Sequence, residues 1–171
     1  MDLATKCEKT EFLSFEFLAW LAARAECDMG VLTDEKDPVM EMWFEKKLVL
    51  SEWDAPNEQT VIRSDEPVSS FETKTSLRLG KWIREASIAL VHDKMEWHFQ
   101  VSAPELKIKG IKIKTGADFQ KSEDGAVIDR VAGLEDLLHL WDRFYERFLV
   151  LRLDPDAWSV EVARIGQWIV E

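Results

Sequence analysis

An α+β fold, with one antiparallel sheet of about four to five strands against an amino-terminal helix and a carboxy-terminal helical pair, is predicted by three features of the sequence. A run near the amino terminus is apolar on nearly every side, as a buried helix requires. The middle of the chain alternates apolar and polar residues with the period-two signature of half-buried strands. The last segment returns to a 3.6-residue period with acidic residues between the apolar ones.

Length and composition set the frame for these elements. The 171 residues are 46% apolar and 32% charged, with only 7 Gly and 5 Pro, which excludes disordered and low-complexity chains and is enough for one domain over 1–171 with its own core. A net charge of −11 repels phosphate backbones and anionic lipid at long range, so binding of nucleic acid by the whole surface is disfavoured. Cys7 and Cys27 make no disulfide framework and read as reduced thiols. Met1 to Lys9 lacks the apolar core of a signal peptide, and the longest apolar stretch, Phe12 to Ala23, contains Glu16 and falls short of the roughly 20 residues that span a bilayer. A cytoplasmic protein without a membrane partner is the expectation.

The apolar helix is expected within 11–30, carried by Phe12, Phe15, Phe17, Leu18, Trp20 and Leu21. A mainly β region follows over 41–114. Glu41 to Ser51 reads as a strand with an ambiguous start, and Thr60 to Arg63 as a short strand after the turn residues Asp54, Pro56 and Asn57. Ser69 or Ser70 opens a short helix near 69–79; Ser69 with Glu72 fits a capping box, and Gly80 marks the stop. Trp82 to Val91 and Met95 to Ser102 form a hairpin in which Trp97, Phe99 and Val101 share the apolar face.

Glu105 to Lys114 alternates with a change of phase at Gly110. A β-bulge there returns Leu106, Ile108, Ile111 and Ile113 to one face and leaves Lys107, Lys109, Lys112 and Lys114 on the other. Gly116 to Gly125 reads as a loop, and 128–170 as helical, broken where Asp154 caps a final helix with Pro155 at its first position.

Charge follows the same divisions. Residues 1–64 hold 7 basic and 14 acidic side chains, 65–121 hold 10 and 8, and 122–171 hold 5 and 11, so only the sheet region has a positive balance. Its lysine row is the one basic feature able to track phosphates, although exposed lysines also serve simply to solvate a strand and blunt a sheet edge. Most of the 8 tryptophans sit at periodic apolar positions and read as core. His92, His98 and His139 lack the spacing of a metal site, so no metal and no cofactor is expected. No nucleophile elbow or phosphate-cradling glycine loop is present, and the carboxylate pairs Glu123–Asp124, Glu135–Asp136 and Asp154–Asp156 suit solvated faces and caps. Carboxylate-based hydrolysis is left without support, and no catalytic residue is assigned.

The string from Ser69 to Ile113, with a capped helix ending in LGK, an apolar strand, a Trp-bearing return strand and LKIKGIKI, resembles the carboxy-terminal part of the RdgC family. EFLSFEFLAWLAAR at Glu11 to Arg24 is similar to the matching segment of divergent members. The resemblance implies a bacterial, non-enzymatic, self-associating protein linked to DNA recombination, whose relatives bind duplex DNA without sequence preference. Lys107, Lys109, Lys112 and Lys114 are the residues best suited to phosphate contact, and Phe12, Phe15 and Trp20 to a homodimer interface. The alternative expectation is an acidic protein-interaction module that contacts a basic protein partner and no nucleic acid.

Overall fold

A computed structural model describes residues 11–33, 39–115 and 123–171. It opens with α1 (Glu11–Cys27), followed by a short 3-10 turn at Met29–Leu32 whose cap is the Asp28 carboxylate. Then come β1 (Met40–Ser51), β2 (Thr60–Ile62), α2 (Phe71–Arg78), β3 (Trp82–His92), β4 (Met95–Ser102), β5 (Lys107–Thr115), α3 (Glu123–Leu153) and α4 (Pro155–Val170). The strands form one antiparallel sheet in the order β2-β1-β3-β4-β5. This is the α+β architecture that the sequence predicts.

The core lies between one face of that sheet and the helices. Met42, Phe44 and Leu48 of β1, Ile88 and Leu90 of β3, and Trp97, Phe99 and Val101 of β4 line the sheet side. α1 packs over β1 and β3, with α3 beside it over β4 and β5. Its Phe17 ring meets Trp141, Tyr145 and Phe148 of α3 at centroid distances of 5.3, 5.1 and 5.4 Å, while Phe15 meets Trp53 and Trp82 at 5.0 and 6.4 Å. Such edge and tilted packings suit the ring quadrupoles. Phe15 and Trp20 are therefore buried inside this chain and are not presented to a second copy; of the three expected interface residues only Phe12, 37% exposed, reaches the surface.

Two local expectations change. The cap of α2 is Ser70, whose hydroxyl accepts from Thr73 N; the Ser69 hydroxyl instead donates to Glu26 at the end of α1, so the Ser69–Glu72 capping box does not form. The same helix ends in a Schellman pair, Gly80 N to Leu77 O at 3.0 Å and Lys81 N to Ser76 O at 3.0 Å. The expected loop at 116–125 falls mostly outside the described residues, and its last three positions, 123–125, begin α3. Asp154 caps α4 as expected, accepting from Asp156 N and Ala157 N. Gly133 lets α3 approach the sheet closely: a Cβ there would lie 2.5 Å from Met95 Cε, and its carbonyl accepts Trp97 Nε1 at 2.8 Å.

α1 and α4 are joined by a desolvated ion pair. Glu161 Oε2 accepts Arg24 Nε at 3.0 Å and Trp20 Nε1 at 2.8 Å, its Oε1 takes Arg24 Nη2, and both charged side chains are almost fully buried. Removing one partner of such a pair leaves an uncompensated charge in the core, at a cost of about 3–5 kcal/mol. Glu161→Ala is expected to lower the urea midpoint accordingly, whereas Arg24→Met with Glu161→Leu recovers most of the loss; chemical denaturation of the variants checks both outcomes.

Candidate functional site

The second face of the sheet carries the charge. Parity in the ladder places Glu41, Trp43 and Glu45 of β1, Glu85, Ser87, Ala89 and Val91 of β3, and Glu96, His98, Gln100 and Ser102 of β4 on this side, since each is paired with another of the set. α1, α3 and α4 gather on the core side.

β5 completes the open face as its edge strand. Lys107, Lys109, Lys112 and Lys114 pair with Ser102, Gln100, His98 and Glu96, so all four lysines point the same way. The device is the bulge at Gly110. The register shifts between His98 and Gln100, so Phe99 opposes two residues of β5, and Gly110 takes a φ of 65° that a side chain would resist. Ile108, Ile111 and Ile113 are thereby returned to the core side, half-buried, while every lysine of the row is exposed. At a rise of about 3.3 Å per residue the row spans about 23 Å.

Carboxylates tether part of the row. Lys109 Nζ lies 3.6 Å from Glu85, which also takes Lys47 Nζ at 3.2 Å, and Lys114 Nζ lies 2.7 Å from Glu96. Lys107 and Lys112 have no ion pair among the described residues. His98 bridges the network, with Nδ1 2.8 Å from Glu45 and Nε2 2.6 Å from Glu96. Carboxylates only accept, so both bonds coexist only when both ring nitrogens carry protons, and no ring nitrogen is left for a substrate or metal. Sequence parity places His98 and Glu96, two residues apart in β4, on the polar face, but Glu45 comes from β1, 53 residues away, and only the pairing of β1 with β3 reveals it.

Electrostatics in this network run toward ionised carboxylates. Burial pushes the Glu45 carboxyl up, but hydrogen bonds from His98 and Lys46 and their charges outweigh it and hold it below 4.5. Burial likewise raises Glu85, and Lys47 and Lys109 bring it below the same value. For Glu96 the Lys114 hydrogen bond leads, with His98 second, in the same direction. Among the described residues no group of three or more His, Cys, Asp or Glu side chains is placed to hold a metal, and no helix is long and apolar enough to cross a membrane.

These features give an α+β domain one open, charged sheet face. No protein-family model matches the chain, and neither a curated protein nor a solved structure matches it.

Carboxyls held below 4.5 stabilise the folded chain above that pH and release the stabilisation as pH falls through their lowered values. Glu45→Gln removes one of them. Urea midpoints at pH 7 and near pH 3.5 are expected to fall less for this variant than for the parent chain; an equal fall would show that the network does not contribute.

Proposed function

We propose that the chain is a non-enzymatic, RdgC-like accessory protein of DNA metabolism that lays the β5 lysine row along a phosphate backbone. The observation that carries this reading is the alignment of Lys107, Lys109, Lys112 and Lys114 on one exposed strand face. Phosphate contact needs charge and spacing but no base readout, which agrees with the sequence-independent binding implied by the resemblance of Ser69–Ile113. The net charge of −11 then confines the contact to this face by repelling DNA elsewhere. Action at DNA in a bacterial cell is cytoplasmic.

Self-association belongs to the same reading. Val127, Val131, Leu134 and Leu138 of α3 are exposed at spacings of four, three and four residues, a short coiled-coil seam that a second copy covers. Parallel pairing sets Arg130 of one copy beside Glu135 of the other, at opposite charge. A dimer doubles the lysine row, which offsets the weakness of four contacts.

Gel-shift titrations with a 30-base-pair duplex across salt concentrations test the reading. Four phosphate contacts from one copy predict a slope of log K against log salt of about −3.6, and eight from a dimer about −7.2, reduced by about one per copy for each Lys→Ala change. Glu85→Gln and Glu96→Gln release Lys109 and Lys114 and are expected to tighten binding. Absence of a salt-sensitive shift at about 50 mM salt, or a shift that survives replacement of all four lysines by glutamate, rules the reading out.

A further inference from the structure

The opposite side of the sheet from β5 has an edge that is only partly closed. β2 covers β1 at Leu48, Val49 and Leu50, and Ser64 N reaches Lys46 O at 3.3 Å. From Met40 to Glu45, no strand among the described residues pairs outward. In an antiparallel ladder alternate residues direct both N–H and C=O to the same side, so about half of this segment turns its backbone groups away from β3, toward no partner strand among the described residues. Beside it runs a groove of about 380 Å³, with Ala25 and Glu26 of α1, Trp43 and Phe44 of β1, and Glu66 and Val68 of the following loop on its walls.

Both charged side chains on the groove's walls, Glu26 and Glu66, are acidic, and Glu41 of β1 and Asp65 of the loop stand next in sequence to lining residues. Glu41, Asp65 and Glu66 are exposed and have no ion pair among the described residues. Glu26 is already engaged by Lys74, Ser69 and Trp168. Trp43, 38% exposed, adds an indole suited to a cation or its aliphatic stem. A second copy brings the same net charge of −11 to an acidic edge. Two-fold antiparallel pairing centred on Trp43 sets Glu41 against Glu45 of the other copy, and like charges directly opposite are destabilising.

We infer that the β1 edge is a strand-addition site for an extended Lys- or Arg-bearing segment of a protein partner. The added strand pairs with the outward backbone of Met40–Glu45, its basic side chains meet Glu41, Asp65 and Glu66, and apolar side chains between them enter the groove. This site is separate from the lysine row and stands whether or not the chain binds DNA.

The test is anisotropy of a labelled nine-residue peptide of alternating Lys and Val, titrated with the full chain at about 100 mM salt, together with a Glu–Val peptide and two N-methylated forms of the Lys–Val peptide. Each N-methylated form blocks one of the two alternate sets of amides. Binding of the Lys–Val peptide is expected, with at least about a tenfold loss for one N-methylated form and little loss for the other, because only one set faces β1. Glu41→Lys with Glu66→Lys is expected to weaken binding about tenfold with an unchanged circular dichroism spectrum, and the Glu–Val peptide is expected not to bind. Equal affinity of both N-methylated forms, or indifference to the charge reversal, would overturn the proposal in favour of diffuse attraction to an acidic surface. Failure of the Lys–Val peptide to bind overturns it outright, and a dimer on a sizing column that dissociates as the peptide binds assigns the edge to a second copy.

Discussion

Burial of α1 is the constraint from which the rest of the architecture follows. A helix with Phe17, Leu18, Trp20, Leu21 and Ala22 wholly inaccessible must be covered on both sides, by the sheet on one and by α3 and α4 on the other. That burial takes Arg24 into the interior with it. Water cannot solvate the guanidinium there, so a carboxylate must meet it, and Glu161 of α4 does so with both oxygens. A buried ion pair adds little stability over a well-packed apolar substitute, but it is demanding in geometry. α4 packs on α1 in the register that brings Glu161 to Arg24 and Trp20, and the end of α4 is held in turn by α2, where Lys74 and Arg78 donate to the carbonyls of Trp168, Ile169 and Val170.

With all the large helices committed to one side, the other face of the sheet is free to be polar. Small residues at its centre, Ser87 and Ala89, let the longer chains around them converge, so that Glu45, His98, Glu96 and Lys114 form a continuous path from β1 to β5. The path crosses the sheet diagonally, and the lysine row runs along its edge. One inserted residue at Gly110 determines whether that edge is a row of lysines or an alternation broken halfway.

Much of this was legible in the sequence because period and parity are local properties. The α1 helix, the β3–β4 hairpin, the Gly110 bulge with its lysine face and the Asp154 cap all follow from spacing within a few residues. What was not legible depends on distance along the chain. The choice between Ser69 and Ser70 as cap turned on Glu26, 43 positions away, claiming one hydroxyl. The Arg24–Glu161 pair joins residues separated by 137, and no local pattern marks either as buried; each sits in a helix where a charged residue is ordinarily solvated. Similarly, the all-round apolar character of α1 fits an intermolecular surface as well as an internal layer, and only the position of α3 and α4 decides between them.

The separation between Arg24 and Glu161 also orders events during synthesis. α1 is made before the strands and helices that cover it, with its aromatic residues and an Arg24 whose neighbouring carboxylate, Asp28, is mostly exposed at the helix end, and the strands that cover one side follow over the next hundred residues. Glu161 of α4, which accepts from Arg24, is made 137 residues after it. An adhesive, partly charged helix therefore stays uncovered on that side until α4 is made, when long-range contacts become available together. That wait is set by the order of the elements rather than by their stability.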